Sequence, residues 1–255
     1  MPRLAILAVL AGGALGAARP PADELAELQA DYTAAQAQWH QQLGTQPAAT
    51  RPAAERPPHP REAFVPRFRA FAEKYAGKSE ALSALMWLAT EGARVRSPGE
   101  GESPAAWALA RLARDHAADP ALADKLSRLF YAVYDVDADT LIEFYRRVLA
   151  VNRDKEARAR ATLNLGFVFY HRAETAEGEA AAADRRQALE LFRRCVRDYP
   201  QTPAAERAGG FVFELENLQI GMVAPEIVGQ DLDGNEIRLS QFRGRVVVVN
   251  FWGHW

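Results

Sequence analysis

The sequence predicts a mostly α-helical protein, an array of helical hairpins, that ends in a β segment. Three observations carry this. Apolar residues recur at helical spacing from Arg61 to about Leu218. At Gly221 the texture changes to a hairpin pattern. The final stretch, GRVVVVNFWGHW from Gly244 to Trp255, is a β-branched run without polar alternation.

The chain has 255 residues, enough for one large domain or two smaller ones. It is 49% hydrophobic and 25% charged, like an ordinary soluble globular protein. A formal net charge of −2 argues against a nucleic-acid-binding surface. Basic pairs such as Arg185–Arg186 and Arg193–Arg194 alternate with acids, as on a solvated helix face.

Residues 1–17 read as an export signal. Arg3 precedes an apolar stretch from Leu4 to about Leu15, and Ala14–Ala17 supplies small residues for cleavage. The stretch is short for a bilayer and holds Gly12 and Gly13. The competing reading is an uncleaved anchor or a hydrophobic N-terminal helix. The expected location is the periplasm or cell envelope of a bacterium, with membrane contact only through an uncleaved signal. Exported proteins have the option of disulfides. This one has a single cysteine, Cys195, within the helical stretch ALELFRRCVRDYP, where a thiol acts as a small buried hydrophobe.

Taken in order, residues 22–43 form an Ala-rich helix with Leu25, Leu28, Tyr32 and Trp39 along one side. Residues 44–60 hold Pro47, Pro52, Pro57, Pro58 and Pro60 and read as a stiff linker, with His59 solvated. Residues 61–218 are a helical domain. Phe64, Phe68, Phe71 and Tyr75 make one apolar face, and Ser103 caps a helix opened by Pro104. Pro120 starts another helix carrying Leu122, Leu126, Leu129 and Phe130. Phe68 to Tyr75 and Phe192 to Tyr199 share one spacing, and the second is followed by the turn YPQTPAAERA. This rhythm resembles tetratricopeptide-like helix hairpins, although the period is irregular and the full consensus is absent. The resemblance implies a groove for docking protein partners; a plain helical domain is the alternative.

Residues 221–255 are the β segment. EIVGQDLDGNEIRLS reads as a hairpin in which Asp233-Gly234 supplies the positive-φ positions of a tight turn. Asp231, Asp233, Asn235 and Glu236 do not fit a calcium loop, because the Gly offset is wrong and no distal Glu closes the set. LSQFRG reads as a short helical turn, and RVVVVNFW as a strand buried on both faces.

The pieces Gly221-Met-Val-Ala-Pro225, Asp233-Gly234-Asn235, Leu239-Ser-Gln-Phe-Arg-Gly244, Val246–Phe251 and Trp252-Gly253-His254-Trp255 follow in an order that resembles the redoxin superfamily. The match is to thioredoxin-like thiol–disulfide oxidoreductases of the TlpA type, relatives of the AhpC/TSA redoxins. It covers residues 221–255 only and implies the hairpin and first central strand of an incomplete α/β thioredoxin fold. In that family Trp-Cys-x-x-Cys follows the strand, so the nucleophile is expected directly after Trp255. No catalytic residue is then expected within the chain as given; Trp252, Gly253, His254 and Trp255 form the flank of the site. A thiolate at a helix N-terminus is acidified by free N–H groups and attacks disulfides.

The resemblance implies an exported disulfide oxidoreductase acting on envelope protein disulfides or a redox partner, with neither metal nor dissociable cofactor. Selenocysteine encoded by UGA after Trp255 is the expected explanation of this C-terminus, ahead of a fragment or a degenerate gene. Two alternatives stand beside it: a non-enzymatic helical interaction protein with a degenerate redoxin tail, and an antioxidant redoxin-type peroxidase.

Overall fold

A computed structural model of the chain describes residues 19–44, 57–95 and 102–253. The expected signal at 1–17 and residues 45–56 of the Pro-rich stretch lie outside the described residues. The chain divides into two compact units, Met1–His116 and Ala117–Trp255.

The first unit is built on aromatic packing between helices. Helix α1 (Pro21–Leu43) has Pro at its first position and Asp23 and Glu24 in its first turn, where carboxylates complement the helix dipole. It buries Leu25, Leu28, Tyr32 and Leu43. Helix α2 (Arg61–Lys74) presents the expected face: Phe64, Phe68 and Phe71 are buried, as is Tyr75 just beyond the helix. Helix α3 (Ser79–Thr90) is apolar nearly all round. Phe68 stacks on Trp87 with centroids 4.0 Å apart, and Tyr32 meets the same indole edge-on at 4.9 Å. Such pairs add about 0.5–1.5 kcal/mol beyond area burial. Glu91 ties the helices together, accepting from Arg61 Nε at 2.8 Å and Tyr32 Oη at 3.2 Å. Helix α4 (Pro104–Arg111) starts as expected, with Ser103 Oγ accepting the Ala106 N–H at 3.1 Å. It continues into a π-helical turn, Leu112–His116.

The solvated reading of His59 is corrected. Its ring lies 4.5 Å from that of Trp39, its Nδ1 accepts the Arg61 N–H at 3.2 Å, and Trp39 Nε1 donates to the Pro57 carbonyl at 3.0 Å. Partial burial pulls the His59 pKa down, and the nearby Arg61 charge adds to that.

The second unit is a run of helices joined by short turns. The helix expected from Pro120 is instead mixed: a 3₁₀ turn (Pro120–Leu122), the short α5 (Ala123–Leu126), then a 3₁₀ helix (Ser127–Tyr134). Its apolar residues Leu122, Leu126, Leu129 and Phe130 are buried regardless, because tertiary packing outweighs weak local preference. Helices α6 (Ala138–Val151), α7 (Lys155–Thr175), α8 (Gly178–Asp198) and α9 (Pro203–Asn217) follow. Asp137, Asp154 and Thr202 each cap a helix by accepting an N–H three residues on. Connections of a few residues force consecutive helices to run antiparallel.

Two polar side chains are satisfied inside this unit. Asn164 Nδ2 donates to the Leu126 carbonyl and to Tyr145 Oη, which itself donates to the Leu129 carbonyl. Asn152 Nδ2 donates to the carbonyls of Ala117 and Asp119 at 2.8 and 3.1 Å, while its Oδ1 accepts the Asp154 N–H. Gly166 lets α7 and α8 approach closely: a Cβ there would lie 2.7 Å from the Phe192 ring.

After α9 the chain forms the only sheet among the described residues, an antiparallel pair of β1 (Val228–Gln230) and β2 (Glu236–Arg238). The architecture is mostly helical with a small β hairpin, the predicted fold class.

Candidate functional site

Among the described residues Ala208 is the last that is buried. The segment from Gly221 is therefore held by hydrogen bonds and half-covered contacts, not by a core.

The hairpin pairs Val228 with Arg238, Gly229 with Ile237 and Gln230 with Glu236. Its tip corrects the tight two-residue turn expected from Asp233-Gly234. Only Gly234 has positive φ, at 82°, and Asp233 does not. The Gly234 N–H closes a turn on the Asp231 carbonyl at 3.1 Å, and the Asp231 N–H then reaches the Asn235 carbonyl at 2.9 Å. This is a three-residue loop with a glycine bulge, a common way to join twisted strands. The Asp231 carboxylate accepts the N–H groups of Asp233 and Asn235 at 2.9 and 2.8 Å, and the Asn235 side-chain amide at 3.0 Å. These bonds, led by that from Asn235, hold its pKa down. The acidic residues here build a turn, as expected from sequence.

A 3₁₀ turn, Leu239–Phe242, follows β2 directly. The Leu239 N–H donates to the Ile227 carbonyl at 2.9 Å, extending the hairpin ladder by one bond. The Ser240 N–H donates to the Glu226 carboxylate at 2.9 Å, and hydrogen bonding to Ser240 lowers the Glu226 pKa. Glu226 was not singled out in the sequence. Its clue is its place directly after Ala224-Pro225, where a carboxylate can meet the open N–H groups of the LSQF turn. Ala224, Pro225, Leu239, Phe242, Arg245 and Val247 line one shared cavity of about 300 Å³. The Ala-Pro piece and the Leu-Ser-x-Phe piece, far apart in sequence, are thus neighbours in space.

Gly244, at φ 81°, turns the chain into Val246–Phe251. This run was expected as a strand buried on both faces. It has no strand partner among the described residues. Val246 and Val248 are 98% and 89% exposed, while Val247 and Val249 are 42% and 46% exposed. That alternation is the period of extended chain. Val247 and Val249 line an apolar cavity with Ile227, Ile237, Leu239 and Phe242. One face is half-covered by the hairpin, and the described residues hold nothing that covers the other. Burial on both faces needs further elements that these residues do not include.

Of the four flanking positions, Trp252 is 78% exposed and Gly253 is exposed. His254 and Trp255 lie outside the described residues. Cys195, the single thiol, is fully buried on α8, and its Sγ–H donates weakly to the Ala159 carbonyl at 3.5 Å. Burial pushes its pKa up to about 12. At neutral pH it is a packing group, as the sequence suggested, and not a nucleophile. Among the described residues no cluster of three or more His, Cys, Asp or Glu side chains is placed to hold a metal ion. No described helix is long and apolar enough to cross a membrane.

A helical array that runs into an Ala-Pro/hairpin/Leu-Ser-x-Phe unit and a valine strand defines a class: a helical domain followed by part of a thioredoxin-like fold. Comparison with known proteins points the same way. The chain is similar to the thiol–disulfide oxidoreductase ResA of Bacillus thuringiensis (strain Al Hakam) and of Bacillus anthracis, each 46% identical over 46 residues. It is 47% identical over 45 residues to the protein of that name from Geobacillus kaustophilus. These matches cover 18% of this chain and 26–27% of the relatives, so the chain spans about a quarter of the length of the curated relatives it matches. No family profile matches the chain, and no solved structure does.

Proposed function

We propose that residues 221–255 open the redox domain of an exported thiol–disulfide oxidoreductase, with residues 61–218 as a tetratricopeptide-like docking domain. The observation that carries this reading is the ordered set of redoxin pieces, supported by 46% identity over 46 residues to oxidoreductases of that type. The grouping of Ala224-Pro225 with Leu239–Phe242 around one cavity supports it too. In this reading Val246–Phe251 is the central strand, and Trp252, Gly253, His254 and Trp255 form the approach to a nucleophile that follows Trp255. The nucleophile is a thiol or selenol that attacks a protein disulfide, expelling one substrate thiolate and forming a mixed disulfide; a resolving Cys three positions on then attacks the nucleophile's sulfur or selenium, closes the bond between the two site residues and expels the second substrate thiolate, so the substrate leaves reduced and the site oxidised until the donor reduces it. Export of the protein would bring it to disulfide-bearing envelope proteins.

The 255 residues hold one cysteine, and it is buried, so they contain no dithiol of their own. The test is insulin-disulfide reduction with dithiothreitol as donor, using the gene product extended through the codons after Trp255. Turnover by the extended protein, lost when the residue after Trp255 becomes Ser, supports the reading. An extended protein with an intact Cys-x-x-Cys or selenocysteine-x-x-Cys site and no activity above the donor alone refutes it.

A further inference from the structure

The imidazole of His59 sits where the end of α1 meets the start of α2. On one side its ring lies 4.5 Å from the half-buried indole of Trp39, whose Nε1 donates to the Pro57 carbonyl at 3.0 Å. On the other its Nδ1 accepts the Arg61 N–H at 3.2 Å, and its carbonyl accepts the Glu62 N–H at 3.2 Å. Arg61 opens α2, so the ring nitrogen satisfies one of the N–H groups that a helix start leaves without an intrahelical partner. Pro60, at the cap position, makes no such side-chain bond.

We propose that His59 is a proton-released latch. Neutral, it pins residues 57–60 to the last turns of α1 and closes the first turn of α2; protonated, it lets go of both. The geometry requires the neutral ring with its proton on Nε2, because Nδ1 is an acceptor here. A proton on Nδ1 turns that acceptor into a donor facing another donor. It also brings positive charge to the positive end of the α2 dipole. Charged and titratable groups face the ring from the neighbouring elements: Arg61 on α2, His40 on α1, Glu91 at the end of α3, and Arg94 in the 3₁₀ turn Gly92–Arg94. Of these, Glu91 alone favours the imidazolium, and its carboxylate already accepts from Arg61 Nε at 2.8 Å and Tyr32 Oη at 3.2 Å. His40 packs on the same indole, with centroids 5.0 Å apart, so protonation of both rings gathers like charges around Trp39. The indole attracts an imidazolium, yet it cannot restore the acceptor that Arg61 loses.

Partial burial, with Arg61 adding to it, holds the His59 pKa below the ordinary 6.5. A depressed imidazole contributes its contacts fully above 6.5, and they are lost as pH falls through the lower, latched value. The rest of the α1–α2 contact holds meanwhile: Glu24 accepts from Lys74 Nζ at 2.7 Å, and Asp31 from Arg67 at 2.6 Å. Release is therefore local, and it uncovers Trp39 and the α2 N-terminus only in acid. The latch stands independently of the redox reading.

The test uses the 255-residue chain and two readouts between pH 7.5 and 4.5. With 5-fluorotryptophan in the chain, the fluorine resonance of Trp39, assigned by its loss in Trp39→Phe, follows protonation of the latch. Hydrogen exchange read by mass spectrometry over residues 57–64, corrected for the intrinsic pH dependence, follows its opening. The expected midpoint lies below 6.5, and the gain in exchange is about tenfold for each unit of that displacement. His40→Gln keeps both transitions, His59→Asn abolishes both, and α3 keeps its protection throughout. A midpoint at or above 6.5, exchange over 57–64 that does not follow it, a transition that survives in His59→Asn or vanishes in His40→Gln, or loss of protection in α3 at the same pH overturns the proposal.

Discussion

Replacing Gly166 with Ala tests the packing of the helical array at its tightest point. A Cβ at this position would stand 2.7 Å from Phe192 Cε1, 2.9 Å from Cδ1 and 3.3 Å from Cζ. Ordinary contact begins near 3.4 Å, so the ring or the helix must retreat by about 0.7 Å. The ring has no free direction, because Phe192 is 0% exposed and stacks on Phe211 with centroids 4.7 Å apart. Overpacking of this kind costs about 1–3 kcal/mol, against a gain of about 0.5–1 kcal/mol for removing a mid-helix glycine. The expected net loss is about 1–2 kcal/mol, or a Tm lower by roughly 2–8 °C for a chain of this size. Gly209→Ala on α9 is the matched control, since a Cβ there meets nothing within 4 Å. It should stabilise by up to about 1 kcal/mol. Urea unfolding followed by circular dichroism reads both. A Gly166→Ala chain as stable as the parent would refute the close approach of α7 and α8.

Three further outcomes are expected. Asn152→Ala strips the buried Ala117 carbonyl of its side-chain donor, while the half-buried Asp119 carbonyl keeps the Leu122 N–H, and should destabilise by about 1–3 kcal/mol in the same assay; a loss under 0.5 kcal/mol, the size of a surface change, would contradict it. Cys195 should react with a thiol reagent at pH 8 at least about a hundredfold more slowly in the native chain than in urea, since its thiol is buried with a pKa near 12; equal rates would place it at the surface. Burial opposes ionisation of Glu91, yet the Arg61 hydrogen bond and charge hold its pKa below the ordinary 4.5. A depressed carboxylate contributes stability above its unfolded pKa and loses it as pH falls through the folded one. Glu91→Gln should therefore lower stability at pH 7 and narrow the gap from the parent below pH 4, as measured by urea midpoints across pH; a gap that stays constant would show that the carboxylate's charge is not involved.

The helices were legible because their signals are local. Phe64, Phe68 and Phe71 mark a buried face by spacing alone, and Ser103-Pro104 marks a helix start. Other features were set by distant partners. His59 is drawn partly out of solvent by Trp39, which lies on α1. The 3₁₀ course of Ser127–Tyr134 follows tertiary packing that no periodicity encodes. At the tail, the order of the redoxin pieces was readable, and so was the hairpin. The turn type was not, because Asp233-Gly234 suits either a two-residue turn or a bulged loop, and the carboxylate of Asp231 decides. The apolar character of Val246–Phe251 was equally plain, but burial depends on neighbours, and the described residues supply only the hairpin on one face.

The most direct measurement of the central claim is the nucleotide sequence of the gene through the codon after Trp255 and beyond. The account predicts a Cys codon, or a UGA read as selenocysteine, followed in frame by two codons, a Cys codon and a thioredoxin-like remainder with a Pro-containing loop. A different stop codon or an unrelated reading frame at that position would contradict the oxidoreductase reading and leave the helical array as the functional part.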